Sequence, residues 1–242
     1  CRDVKRLYNE TNTNIIYAAA ATGGVYKSTD KGSTWFSLFD DQPTLSIGDI
    51  AIDPNNTDII YVGSGEGNGG AHNFPGLGMF KSTNGGDSWT HIGLEKTASI
   101  GRVVVDPNNS QRVFVAATGS YFEPNPERGI YLSTDAGSTW SQSLFVSDST
   151  GGTDIVINPT NSNIIYAAMW ERVRRPNSSH LYGPTGGIFK STDGGVNWVK
   201  FDQNNGLPNP ATNNIGRIGL AMYKQDPNNL YALYNDGSSL LG

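Results

Sequence analysis

Apolar and polar positions alternate along this chain in short runs, each bounded by clusters of Asn, Asp, Ser, Thr and Gly. Asp49-Ile50-Ala51-Ile52, Arg102-Val103-Val104-Val105 and Asp154-Ile155-Val156-Ile157 form one set of such runs. A turn cluster follows each, as in Asp53-Pro54-Asn55-Asn56 or Asp106-Pro107-Asn108-Asn109. A second set comes next, Ile59-Ile60-Tyr61-Val62, Val113-Phe114-Val115 and Ile164-Ile165-Tyr166, with Ile15-Ile16-Tyr17 as an earlier member. A third set is Gly24-Val25-Tyr26-Lys27, Gly78-Met79-Phe80-Lys81, Gly129-Ile130-Tyr131-Leu132 and Gly187-Ile188-Phe189-Lys190. A period of two bounded by turn residues predicts β-strands, and no stretch carries a helical period.

The third set leads each time into one eight-residue pattern: STDKGSTW from Ser28 to Trp35, STNGGDSW from Ser82 to Trp89, STDAGSTW from Ser133 to Trp140, and STDGGVNW from Ser191 to Trp198. The serines recur at spacings of 54, 51 and 58 residues. A short apolar stretch after each Trp supplies a fourth strand. Four antiparallel strands per repeat, labelled A to D from the axis outwards, are the sequence form of a propeller blade. The expected fold is therefore all-β, a β-propeller of four-stranded antiparallel blades. Residues 1–43, 44–96, 97–148 and 149–211 make four blades, and 212–242 a partial fifth with strands at 215–220 and 226–233. Arg2 to Tyr8 can supply the first strand A, although Lys5 and Arg6 spoil its alternation. Four blades and a half do not close into a ring, so the expectation is a piece of a larger propeller array.

In each box glycine supplies positive φ, while Ser and Asp side chains accept hydrogen bonds from turn amides. The Trp is expected to cover the hairpin. These patterns resemble Asp-box repeats, also called bacterial neuraminidase repeats, found in sialidases, in propeller glucanases that cut xyloglucan, and in sortilin-type receptors. The resemblance implies a structural role for Ser28, Asp30, Gly32 and Trp35, for Ser82, Asn84, Gly86 and Trp89, for Ser133, Asp135, Gly137 and Trp140, and for Ser191, Asp193, Gly195 and Trp198. Across residues 15–233 the chain is most similar to the secreted bacterial sortilin-like, Asp-box "glycosyl hydrolase" group. The similarity is carried by the stretches 59–67, 99–109, 127–140, 167–176 and 187–198.

Composition narrows the function classes. Only 16% of residues are charged, against a usual ~25%, and 24 asparagines help supply the polar surface. That balance leans towards a secreted or cell-surface protein, bacterial by its resemblance. A net charge of −5 gives no basic footprint for nucleic acid, and no apolar run is long enough to span a membrane. The single cysteine excludes an internal disulfide framework and a Cys-based zinc site. Cys1 reads first as a fragment start and second as a lipid-modified cysteine left after signal removal. His72, His91 and His180 are scattered without ligand spacing, so no metal or cofactor is expected.

Blade topology places the A–B turns and the boxes on one face, and the B–C loops and D-to-A crossings on the other. Length varies in the B–C loops, at 63–77, 118–128 and 170–186, which makes their face the candidate binding surface. Candidate ligand residues there are His72, Tyr121, Phe122, Arg128, Trp170, Arg172, Arg174, Arg175, His180 and Tyr182, with Phe74 beside them. The arginines can clamp a carboxylate, sulfate or phosphate. The plainer structural alternative pairs them with Glu123, Glu127 and Glu171 across neighbouring loops. Arg102 and Arg217 stand at the channel mouth with Asp49 and Asp154. They are carried in part by a recurrent motif, Ser46-Ile-Gly-Asp49, Ser99-Ile-Gly-Arg102 and Asn214-Ile-Gly-Arg217, and alternating signs there suggest a ring of salt bridges.

Two functions fit this layout. The preferred one is a non-catalytic module that binds protein or glycan through the varied loops. The second is a glycoside hydrolase, which needs two carboxylates roughly 5 to 9.5 Å apart. Its candidates are Glu66, Glu123, Glu127, Glu171, Asp49 and Asp154. A sialidase is disfavoured, because the Arg-Ile/Leu-Pro motif that the resemblance would require near the start is missing.

Overall fold

The computed structural model describes residues 4–8, 12–69, 73–175, 178–209, 213–236 and 240–241. The first sheet is β1 (Val4–Tyr8), β2 (Ile16–Ala20), β3 (Gly24–Ser28) and β4 (Phe36–Ser37). The second is β5 (Ile47–Asp53), β6 (Asn56–Ser64), β7 (Met79–Ser82) and β8 (Thr90–His91). The third is β9 (Ile100–Asp106), β10 (Asn109–Ala117), β11 (Gly129–Ser133) and β12 (Ser141–Leu144). In the fourth, β13 (Thr150–Ile157) and β14 (Ile165–Glu171) are followed by a small hairpin, β15 (Val173–Arg175) and β16 (Ser178–His180), then by β17 (Gly187–Ser191) and β18 (Val199–Phe201). The last sheet holds β19 (Ile218–Tyr223), β20 (Asp226–Asn235) and β21 (Leu240–Leu241). Strands follow chain order within each main sheet, and every pairing is antiparallel. Two short 3-10 turns, at Glu95–Thr97 and Gln203–Asn205, interrupt the β structure.

The fold is a β-propeller of four-stranded antiparallel blades. β5, β9, β13 and β19 lie side by side as innermost strands, and the apolar cores sit between successive sheets. Strand alternation produces this, since side chains on one face of an inner strand pack against the preceding blade and those on the other against the following one, as Val103 and Val104 do in β9. Between the first two blades, for example, Phe39 packs edge-on against Phe80 at 5.3 Å and against Trp89 at 5.1 Å. β1 does form in spite of Lys5 and Arg6, paired with β2 through Lys5–Ala19 and Arg6–Ala18.

The boxes are turns held from within. In each, the Ser hydroxyl accepts the Gly amide four residues on, as Ser28 does from Gly32 at 2.7 Å. The Oδ1 of the Asp or Asn side chain accepts the amide at the seventh position, as Asp135 does from Thr139 at 2.8 Å. The box Trp does more than cover its own hairpin. Trp89 Nε1 donates to Leu38 O at 2.8 Å, and Trp140 Nε1 to Ile92 O at 2.7 Å, each in the preceding blade. Trp198 reaches Ser143 of the preceding blade at 3.0 Å, whereas Trp35 donates to Gly32 O of its own turn. A glycine is required beneath this lock: at Gly86, with φ of 95°, a Cβ would stand 2.6 Å from Leu38 Cδ1.

Candidate functional site

The Ser-Ile-Gly motif acquires a steric reason at the axis. A Cβ on Gly48 would lie 1.9 Å from Ile100 O, and one on Gly101 2.8 Å from Thr153 O, so neighbouring inner strands approach backbone to backbone. The residues that follow the motif's glycines stitch blades together. Asp49, buried, accepts from Val103 N at 2.8 Å. Asp154 Oδ2 accepts from Leu220 N at 2.9 Å, and its Oδ1 accepts from its own neighbour Ile155 N and stands 3.4 Å from Arg102 Nε. The expected ring of salt bridges is thus largely replaced by carboxylate-to-amide bonds, with the Arg102–Asp154 pair as its ionic member. Arg217 turns instead to Asn68 Oδ1 at 3.3 Å.

The glycine-rich loop after β6 is tethered over the crossing into the third blade. Ser64 Oγ donates to Gly78 O and accepts from Leu77 N, Gly65 N donates to Ser46 O, and Gly76 N donates to Ala98 O. At Gly65, with φ of 86°, a Cβ would be 2.0 Å from Ala98 O. The glycines serve this close approach. Glu66 is buried within the loop, and Phe74 is exposed on it. Phe74 lines a groove of about 330 Å³ with Thr22, Thr44, Leu45, Ser46 and Pro75. His72 lies outside the described residues.

The three long loops meet over the axis. Tyr121 is buried and its hydroxyl donates to Gly67 O at 2.8 Å. Its ring packs edge-on to Trp170 at 6.0 Å, and Trp170 Nε1 donates to Leu181 O. The Arg172 guanidinium lies 5.4 Å above the Trp170 ring and reaches His180 O at 3.4 Å and Gly69 O at 3.3 Å. Burial pushes the Tyr121 hydroxyl pKa up, with the charges of Arg217, Arg128 and Arg172 acting against it, and pushes the Arg172 guanidinium down.

Several residues read from sequence as ligand contacts are internal supports. Arg128 is fully buried, and its guanidinium donates to the carbonyls of Ser120, Glu123, Ser149 and Arg172. Burial lowers its pKa to about 10. It is removed from the binding set because no face of it is open. Tyr121 and Trp170 are likewise buried, so neither offers a free ring face. The proposed arginine–glutamate pairing across loops is not what holds Glu171, whose carboxylate accepts the amide and hydroxyl of Thr185 at 3.1 and 2.6 Å. Glu123 is exposed and Glu127 half-buried; their carbonyls bind Arg128 and Tyr131. Arg174 N donates to Tyr121 O, and Arg175 shares a cavity of about 190 Å³ with Glu171, Val173 and His180. Phe122 and Tyr182 stay exposed.

What the structure brings together at the channel mouth is a cavity of about 380 Å³ lined by Asn68, Asp154, Trp170, Arg217 and Asn235, among others. Asn68 and Asn235 were not anticipated. The signal for Asn68 was available, since a polar side chain set between Gly67 and Gly69 sits where backbone comes close.

Residues 78–206, more than half of the chain, match the family described as "Sortilin, neurotensin receptor 3". The chain belongs to the Sortilin-Vps10 family. Alongside this Sortilin-Vps10 match, curated relatives are xyloglucanases. One from Paenibacillus sp is 25% identical over 265 residues, covering 96% of this chain and 23% of the relative. One from Acetivibrio thermocellus is 28% identical over 218 residues, covering 79% and 24%. The chain thus spans about a quarter of the length of these relatives. Among solved structures, an ancestral GH74 enzyme superposes with a TM-score of 0.72 at 23% identity, covering 96% of this chain and 27% of that one. A GH74 enzyme of Niastella koreensis gives 0.69 at 20%, covering 97% and 35%. These relatives overturn the preference for a non-catalytic binding module and favour the second reading, a glycoside hydrolase. A protein partner and a lipid anchor at Cys1 gain nothing from them, and Cys1 lies outside the described residues. No helix among the described residues is long and apolar enough to cross a membrane.

Proposed function

We propose that this Sortilin-Vps10 chain is part of a secreted polysaccharide hydrolase acting on a xyloglucan-type glycan, with its repeated turns serving as structural Asp-boxes. The reading is supported first by relatives named xyloglucanases that match 79–96% of the chain. The observation that carries it into the geometry is Asp154. Of the six carboxylates considered, Asp154 lines the channel-mouth cavity, Glu171 lines a smaller one on the outer loops, and Asp49 and Glu66 are buried. Two backbone amides and Arg102 hold the Asp154 carboxylate in place, which suits a group that must keep one orientation towards a sugar ring. Glycoside hydrolysis needs a pair of carboxylates. We assign one member to Asp154 and leave the other unassigned. Incubation of the protein with xyloglucan should release reducing ends, and Asp154→Asn should lower that release by about a hundredfold or more. Undiminished release by Asp154→Asn would remove Asp154 from the chemistry. No release by the parent protein, together with no retardation in a xyloglucan-containing gel, would overturn the reading as a whole.

A further inference from the structure

The groove at the crossing from the first blade to the second shares no lining residue with the channel-mouth cavity. Thr22 comes from the first blade's short loop, Thr44, Leu45 and Ser46 from the crossing, and Phe74 and Pro75 from the second blade's loop. Among the described residues its lining carries no ionisable group, only three hydroxyls beside three apolar side chains. Its volume of about 330 Å³ lies within the ~300–1,000 Å³ of small-ligand sites. The backbone beneath Phe74 is pinned. Its carbonyl accepts Ser46 Oγ at 2.9 Å and Glu66 N at 3.0 Å, Ser46 O accepts Gly65 N at 2.8 Å, and Leu45 O accepts Gly24 N at 2.9 Å. None of these bonds uses the Phe74 side chain, which is 55% exposed. The fold gains little from an aromatic ring here, and a ring held in water on a fixed backbone is already arranged for a contact. The crossing into the fourth blade is closed over instead, since Ser149 O accepts Arg128 Nη1 and Arg172 N from the long loops.

The lining selects the occupant. A charged ligand would find nothing to pair with, and its desolvation would go uncompensated. A protein partner needs about 1,200 Å² or more of buried surface, far beyond what six residues offer. A pyranose ring carries C–H groups on one face and hydroxyls around its rim, which matches an aromatic face set among Thr and Ser hydroxyls. Thr44 Oγ1 accepts Ser46 N at 3.2 Å and keeps its proton to donate, and the exposed Thr22 hydroxyl can donate or accept. We infer that this groove binds a neutral sugar unit of a glycan, stacked on Phe74 and hydrogen-bonded by Thr22 and Thr44. It is a carbohydrate contact separate from the channel mouth, and only the choice of a glucan as first probe rests on the proposed hydrolase.

The test is a saturation-transfer NMR titration with four probes: cellotetraose, mannotetraose, a galacturonic acid trimer and N-acetyl-leucine amide. Cellotetraose is expected to bind, with the strongest transfer to the C–H protons of its rings. Phe74→Ala should weaken it about tenfold or more, and Thr22→Val about fivefold, the loss of one hydrogen bond. Phe74→Trp should hold or tighten binding, a result that loss of fold cannot produce. Phe36→Ala, which removes an exposed ring from the outer strand of the first blade, should leave it unchanged. Mannotetraose bound in place of cellotetraose would support the groove's chemistry and count against a glucan substrate. Absence of binding to both neutral probes would overturn the inference, as would binding that Phe74→Ala leaves unchanged. Equal or tighter binding of the acidic trimer or the leucine amide would overturn it too. Xyloglucan hydrolysis without Phe74-dependent binding would sink this inference alone. Phe74-dependent binding without hydrolysis would leave it standing and count only against the hydrolase.

Discussion

At the scale of single residues the boxes state their chemistry most plainly. Asp30 and Asp135 are held at a pKa of about 2, down from 3.8, chiefly by the side-chain and backbone hydrogen bonds of Thr34 and Thr139. Asp193 is held at about 2 chiefly by the amide and side chain of Asn197. A folded-state value below the unfolded one means that the stabilisation is present above pH 3.8 and is lost as pH falls towards about 2. The second box already carries a neutral form, since Asn84 Oδ1 accepts from Ser88 N and its Nδ2 donates to Ser88 Oγ. Asp30→Asn, Asp135→Asn and Asp193→Asn combined should therefore fold normally and flatten the acid side of a thermal-stability profile in that window. An unchanged profile would show that other carboxylates set acid sensitivity. These turns were legible because four copies at near-constant spacing report on the fold. The loop residues appear once each, so the sequence conveyed their chemistry and not their burial. Arg128 and Trp170 look like ligand groups for that reason, while only its flanking glycines single out Asn68 and nothing in the pattern singles out Asn235.

At the scale of elements, strands and turns follow from alternation, and the fold class was legible throughout. The locks between blades were not, because they join residues some fifty positions apart. They use two interchangeable chemistries. Tyr17 and Lys27 both donate to Gly85 O, and Tyr61 and Lys81 to Ala136 O, each carbonyl belonging to the next box. In the third blade Phe114 and Leu132 replace that pair, and Arg112 reaches Gly194 O at 2.9 Å in its stead. Arg112 also pairs with buried Asp106 at 2.6 Å. The corresponding carboxylate of the second blade, Asp53, has a buried oxygen without a hydrogen-bond partner among the described residues, with the charge of Lys81 nearby. Arg112→Leu removes the lock and strands Asp106, a loss of about 3–5 kcal/mol. Adding Asp106→Asn should recover part of it, because the neutral side chain keeps the turn bonds to Asn108 N and Ser162 Oγ. Denaturant unfolding of the single and double variants measures both values, and a double variant no more stable than the single one would place the cost in the lost lock alone.

At the scale of the whole molecule, the question is what keeps three loops from three blades in one arrangement over the axis. Arg128 answers for two of them and the crossing between them. Its donors end on carbonyls of residues 120 and 123 in the third blade's loop, 149 in the crossing and 172 in the fourth blade's loop. Asp148 is the carboxylate whose charge favours the Arg128 cation, but no ion pair holds Arg128 among the described residues, and its reach to several carbonyl acceptors at once offsets the cost of burying it. Tyr121 extends the arrangement to the second blade through its hydroxyl on Gly67 O, and its carbonyl accepts Arg174 N of the fourth blade's loop. Arg128→Met preserves much of the apolar stem and removes every one of these carbonyl bonds. The expected result is a loss of about 3–5 kcal/mol in unfolding free energy. Amide hydrogen exchange should also quicken at 119–125 and 172–175 together, while the strands of the first blade keep their protection. Joint loosening would mean that the loops form one cooperative unit around a buried cation, so that the channel-mouth cavity exists only as their shared product. Loosening confined to 119–125 would instead make each loop the property of its own blade, and the cavity a meeting of independent parts.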